Sequence, residues 1–421
     1  MSSLVPEGWQ SVKFKDVFND YKYGPRFSSK DYDDSGNVKT IRGTDVSSIG
    51  EIKYQQVPTA TLDRKLVDNN KLCNGDLVMI TTADCGMTAV FYEQKIPYIA
   101  SAYAIRLTPS KYISSEYIKF FMQTFNAKKQ VESLVRKGTV ANLPGSDVMS
   151  LALNLPPLPE QKKIAAILTS VDDVIEKTQA QIDKLKDLKT GMMQELLTRG
   201  VGVDGKPHTE FKDSPVGRIP KGWEVRGIYD VCNEIFLGLT AKVDYTESDG
   251  AYLIRATDIS NGVLSFSKAR QITHSQHQSL TKKRQAKRGD VLVSKSGSLG
   301  VCALVDTDVE FSIYESIIVL QPKGRVIDSK YLLWLMRATE TQTRLLGGVV
   351  GSTVGHLNLG DFRKLKVPIP SFEEQIKLGR VFDSLNQKFT SVENRLLQYK
   401  SLKKALMQDL LTGKKRVKVD S

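Results

Sequence analysis

The chain has 421 residues, 40% hydrophobic and 25% charged, enough for two or three domains with proper cores and against large-scale disorder. Lysines and arginines number 60 against 47 acidic residues, and the formal charge of +13 favours a polyanionic partner such as nucleic acid over an acidic small molecule. Cys73, Cys85, Cys232 and Cys302 form no CxxC pair or disulfide framework, the N-terminus shows no signal pattern, and no apolar run nears the roughly 20 residues of a membrane span, so a cytoplasmic protein is expected.

After VPEGW at 5 to 9, the runs DLVMIT, AVFY and YAIRL read as strands and 114 to 135 as helix. The prolines of NLPPLPEQ then announce a long helix, with Pro159 at its first turn and Glu160 favouring the positive end of its dipole. Ile164, Leu168, Val171, Ile175, Thr178, Ile182, Leu185, Lys189, Met192 and Leu196 follow at alternating steps of four and three, the a/d stripe of a coiled coil. The Gly- and Pro-rich residues 200 to 218 read as an exposed connector.

The pattern then recurs at an offset of 214. IPKGW at 219 to 223 answers VPEGW, and YLIRATDISN at 252 to 261 answers KTIRGTDVSS at 39 to 48 with a slip of one residue. RGDVLVSKSGSLG, ending at Gly300, answers NGDLVMITTADCG, ending at Gly86; VLVSK and IIVLQP read as strands and 328 to 346 as helix. Behind Ser371 and Glu374, the stripe returns as Leu378, Phe382, Leu385, Phe389, Val392, Leu396, Tyr399, Lys403, Leu406 and Leu410, its one lysine included.

Each stripe needs a partner. Packing on its own domain is one solution; antiparallel pairing of the two helices is preferred, because the matched register gives both the same length, about 57 Å for 38 residues. Ile182 and Leu396 are placed as one core layer of that pairing. The expected fold is α+β, a pseudo-two-fold, cyclic repeat of two similar globular domains, 1–155 and 219–368. Helical spacers occupy 156–199 and 369–413, the connector 200–218, and a basic tail, read as solvated, 414–421.

No catalytic constellation emerges. KSGSLG and GGVVGST lack the lysine and spacing of a phosphate loop, the Glu-x-Lys triplets at 51 and 93 have no matching acidic partner, and His274 and His277 have no third ligand, so no metal site is indicated.

The PEGW and PKGW openings, the IRGTD and IRATD segments, the helix starts NLPPLPEQKKIAAIL and VPIPSFEEQIKL, and the helix ends MMQELLT and LMQDLLTGK resemble the specificity subunit of type I restriction-modification enzymes, across essentially the whole chain. The resemblance implies two target-recognition domains, each reading one half-site of a bipartite double-stranded DNA target. It also implies two methyltransferase subunits docked along the helices, and restriction and motor subunits joining through them. S-adenosylmethionine, ATP and magnesium would belong to those partners, leaving this chain non-catalytic and without a cofactor, in a prokaryotic cytoplasm. A self-sufficient DNA-modifying enzyme, or a fused part of one, is the alternative; methyl transfer by the lone chain would favour it.

Phosphates are met by lysine and arginine, and bases by Arg, Lys, Asn, Gln, Ser and Thr on loops. Arg42 and Arg255 occupy equivalent segments, where an ion pair with Asp45 or Asp258 accounts for them equally well. Thr81 and Thr82 in TTADCG and Lys137 and Asn142 in KGTVAN answer to Lys295, Ser296 and Ser298 in SKSGSLG and Ser352, Thr353 and His356 in GSTVGH. The two halves must read different sequences, so positions that differ, Lys295 against Thr82 and His356 against Asn142, are the stronger base-reading candidates. Lys282, Lys283 and Arg284 in KKRQAKR read as phosphate-facing or solvated.

Overall fold

The computed structural model describes residues 5–238, 242–347 and 357–419. The chain forms two compact units, Met1–Gln179 with Asn394–Ser421, and Ala180–Glu393. Each unit thus takes part of each long helix.

In the first unit the strands are β1 (Gln10–Lys13), β2 (Phe18–Tyr23), β3 (Val38–Ile41), β4 (Thr59–Ala60), β5 (Leu77–Ile80), β6 (Thr88–Val90), β7 (Tyr98–Ala100), β8 (Ala104–Pro109) and β9 (Ala152–Leu155). They form an antiparallel sheet in the order β2-β8-β5-β6, a sheet β4-β3-β7 whose β3 and β7 run parallel, and the pair β1-β9. The unbroken apolar run of β5 follows from burial on both faces: Leu77 and Met79 enter a core shared with the helices, while Val78 and Ile80 enter a second core with the other sheet.

The second unit repeats this order. Cys232–Leu237, Ile317–Pro322, Val291–Ser294 and Cys302–Leu304 replace β2, β8, β5 and β6, and Ala251–Ile254 runs parallel to Phe311–Ile313 as β3 does to β7. The segments read as single helices are each two: Ser115–Met122 then Phe125–Leu134, and Ser329–Arg337 then Thr339–Leu346. Thr124 restarts the first pair, its hydroxyl accepting from Ala127 N at 3.2 Å.

The long helices run from Leu158 to Arg199 and from Phe372 to Leu411. In the first unit Lys403 Nζ lies 2.6 Å from Asp172 Oδ1, and in the second Lys189 Nζ donates to Asn386 Oδ1 at 2.7 Å. Both pairs of residue numbers add to 575, so within each unit the helices run antiparallel in one register. Carried along the helices, that register sets Ile182 opposite Val392 and Glu393 in the second unit and Leu396 opposite Thr178 and Gln179 in the first, about one turn away from the expected Ile182–Leu396 layer. The stripe residues are buried or half-buried throughout, with mostly exposed neighbours. At their ends both solutions for the stripe coexist, since Ile164, Leu168 and Leu410 join the first unit's core and Leu378 and Phe382 the second's.

Each helix start is fastened by its Glu-Gln pair. Trp9 Nε1 donates to Glu160 Oε2 at 3.2 Å and Trp223 Nε1 to Glu374 Oε2 at 3.0 Å. Gln161 accepts from Ser114 N and donates to the carbonyls of Tyr112 and Pro156; Gln375 does the same with Asp328, Val326 and Pro370. The connector is more than an exposed link, because Val201 N and Gly202 N donate to Glu374 Oε1 and His208 Nε2 lies 3.0 Å from it. Nor is the C-terminal tail simply solvated: Arg416 holds both Glu160 oxygens at 2.7 Å and donates to the Glu7 carbonyl. Both segments answer the same need, a counterpart for a buried carboxylate.

Candidate nucleic-acid interface

Beyond β5 the chain must turn, and hydrogen bonds fix the turn to two other segments, one of which also holds the end of β3. Thr81 N and its hydroxyl both donate to the Tyr103 carbonyl, at 2.9 and 3.0 Å, while Leu143 N donates to Thr81 O at 2.8 Å. Ala83 N donates to Ala141 O, and Thr82 bridges to Asn142. Ser101 N donates to Ile41 O, drawing in the end of β3 and with it Arg42. At Gly24, a Cβ would stand 1.9 Å from Ala100 O, so only glycine lets β2 approach this closely.

The same cluster is built in the second unit. Lys295 N donates to Ser316 O at 2.8 Å, Leu357 N to Lys295 O at 3.2 Å, Tyr314 N to Ile254 O at 2.9 Å and Gly238 N to Ile317 O at 3.0 Å. These bonds pair Lys295 with Thr81, correcting its alignment with Thr82; Ser296 is the residue that answers Thr82.

Of the sequence candidates, Arg42, Thr81, Thr82 and Asn142 therefore meet in one unit, and Arg255, Lys295 and Ser296 in the other. Their exposures differ. Thr81 is buried with its hydroxyl spent, so it holds the turn instead of reaching outward; Asn142, Lys137 and Ser298 are exposed, and Thr82, Lys295 and Ser296 half-buried. Arg42 Nε lies 3.1 Å from Asp45 and Arg255 Nε 3.3 Å from Asp258, and each carboxylate also accepts from its arginine's own backbone N–H. The ion-pair reading thus holds for both, and the hydrogen-bonded Asp45 carboxylate raises the pKa of the Arg42 guanidinium further.

The basic run sits elsewhere. Gln321 Nε2 donates to the Gln285 carbonyl near the far end of the strand whose first residue, Ile317, receives Gly238, about 13 Å away over four residues of strand. Arg284 pairs with Glu234 at 3.1 Å, whereas Lys282 and Lys283 are exposed without an ion pair among the described residues. Ser352, Thr353 and His356 lie outside the described residues.

Sequence reasoning missed Tyr103, 62% exposed on a doubly held carbonyl, with its second-unit counterpart Ser316, and the exposed Asp84 in the first unit's turn. It also missed Tyr23, whose hydroxyl accepts from Gly145 N at 2.6 Å and ties the segment just after Leu143 to β2. The one-residue slip already seen at IRGTD was the available signal, since it aligns Tyr103 with Ser316. Among the described residues no group of three His, Cys, Asp or Glu could hold a metal ion, and no helix is long and apolar enough to cross a membrane.

The family described as type I restriction modification DNA specificity domain matches residues 6–187 and 220–399, once in each half. The type I restriction enzyme MjaVIII specificity subunit of Methanocaldococcus jannaschii is 24% identical over 422 residues, covering 98% of this chain and 94% of that one. The putative MjaX specificity subunit of the same organism is 23% identical, covering 98% and 95%. The crystal structure of a type I restriction-modification S subunit from M. genitalium shares the fold, with a TM-score of 0.59, 14% identity and 96% of each chain covered. With that family matched over both halves, and with the same loop cluster built in each, the chain belongs to the type I restriction-modification DNA specificity family and is a specificity subunit that recognises DNA.

Proposed function

We propose that this subunit reads a bipartite double-stranded DNA target, one half-site per unit, and scaffolds two methyltransferase subunits through which restriction and motor subunits join. The observation that carries the reading is the loop cluster, raised twice on equivalent backbone bonds but tipped differently: Thr82, Ala83, Asp84 and Tyr103 in one unit, Ser296, Gly297, Ser298 and Ser316 in the other. A constant frame with variable tips is what reading two different sequences demands, because backbone geometry sets position while side chains discriminate bases.

On this reading the long helices, shared by both units, carry the docking faces. The chain contributes recognition only; S-adenosylmethionine, ATP and magnesium are bound by the partner subunits in a prokaryotic cytoplasm. Methylome mapping of cells expressing the chain with its methyltransferase partner should return a split motif with a fixed unspecified spacer. An undivided motif would overturn the reading, and methyl transfer by the purified lone chain would replace it with a self-sufficient enzyme.

A further inference from the structure

The chain carries a formal charge of +13, yet the tip of the first unit's turn presents a carboxylate. Asp84 is exposed and forms no ion pair among the described residues; Lys128 and Lys137 line the same cleft of about 360 Å³ behind the turn without reaching it. Against phosphate such a group is repelled, and against a base edge it is satisfied only by an N–H donor. In the major groove, guanine and thymine offer acceptors, whereas cytosine N4 and adenine N6 offer amino groups.

Its surroundings fit a base edge better than a backbone. Ala83, just before it, holds φ +63, a left-handed conformation that is strained for a non-glycine residue. The equivalent Gly297 adopts φ +73 without that strain, so the first unit keeps an exposed methyl where the fold asks for none. That methyl sets an apolar group next to the carboxylate, and the exposed Tyr103 is held to the same turn through its carbonyl. In the second unit Ser298 stands in place of Asp84, and Lys295 gives the turn the opposite charge.

We propose that Asp84 is a specificity-determining residue of the first half-site, accepting a hydrogen bond from the exocyclic amino group of one cytosine or adenine and excluding guanine and thymine there. This rests on the half-site reading above and deepens it. The test uses the full chain with its methyltransferase subunit, as Asp84→Asn and as Asp84→Ser, the latter borrowing the second unit's residue. Methylation rates would be measured on duplexes carrying each base at every half-site position. Discrimination should fall about 10- to 100-fold at one position of one half-site, from the loss of one base contact, with the other half-site unchanged. Whether that position demanded cytosine or adenine identifies the amino group. Full discrimination retained by both variants would overturn the proposal. Replacing residues 5–155 with a relative's, on the same duplexes, separates the two readings: a changed half-site leaves half-site reading standing without Asp84, and unchanged half-sites remove both.

Discussion

In the first unit Lys403 meets the Asp172 carboxylate, whereas in the second the equivalent Lys189 meets the Asn386 amide, beside the Trp334 and Phe389 rings. Burial first, and the nearby Arg337 second, draw the Lys189 ammonium below the usual lysine pKa. The same place in the repeat thus carries an ion pair in one unit and a charge without a counter-charge from its partner in the other. At the helix starts the contrast is again in the partner: Glu374 is met by two backbone N–H groups and His208, and Glu160 by one arginine. What recurs is the need to satisfy a buried group, and what varies is the local means of doing so.

The largest expected effect breaks that parallel at the carboxylates. Glu374→Ala strands the buried Trp223 indole N–H and the Val201 and Gly202 N–H groups, and should cost the second unit about 3–5 kcal/mol in denaturant unfolding. Glu160→Ala should cost the first unit less, because Arg416 is 43% exposed and can turn to water. Equal losses would contradict the comparison. Arg416→Ala should lower the first unit's stability by about 1–2 kcal/mol and leave the second unit's transition in place.

A smaller effect concerns the lysines. The native pKa of Lys189 lies below its unfolded value, so between the two the unfolded chain binds the extra proton and the second unit gains stability as pH rises toward the ordinary lysine range. Asn386→Asp supplies a counter-charge, raises that native pKa and should flatten the gain in melts from pH 7 to about 10. A slope unchanged by the substitution would show that Lys189 does not govern it. The smallest effect is at the basic run: Lys283→Ala should reduce the slope of DNA affinity against salt by up to about one and leave the motif intact. A changed motif would place that run among the base readers.

The 214-residue repeat, the apolar stripes and the strands with continuous apolar runs were legible because periodicity and burial are written locally. The stripe also made pairing of the helices the preferred reading, but their layer alignment needed the lysine contacts: a heptad stripe fits a partner at several registers. The loops were legible as equivalents, yet Lys295 was set against the wrong threonine, since the offset alternates between 213 and 214 along the chain. Tyr103 was hidden by sitting just before an apolar run, where an aromatic residue reads as strand. Arg416 and His208 were invisible for a different reason: their roles depend on buried carboxylates at Glu160 and Glu374, 256 and 166 residues away in sequence.

One exchange tests the central claim most directly. Residues 5–155 are replaced by the corresponding segment of a relative with a known motif, keeping both long helices and residues 219–419, and the methylome is mapped in cells carrying the native methyltransferase partner. The account predicts a motif in which one half-site becomes the relative's while the other half-site and the spacer length stay as they were. A motif altered in both halves, or in neither, would contradict the assignment of one half-site to each unit.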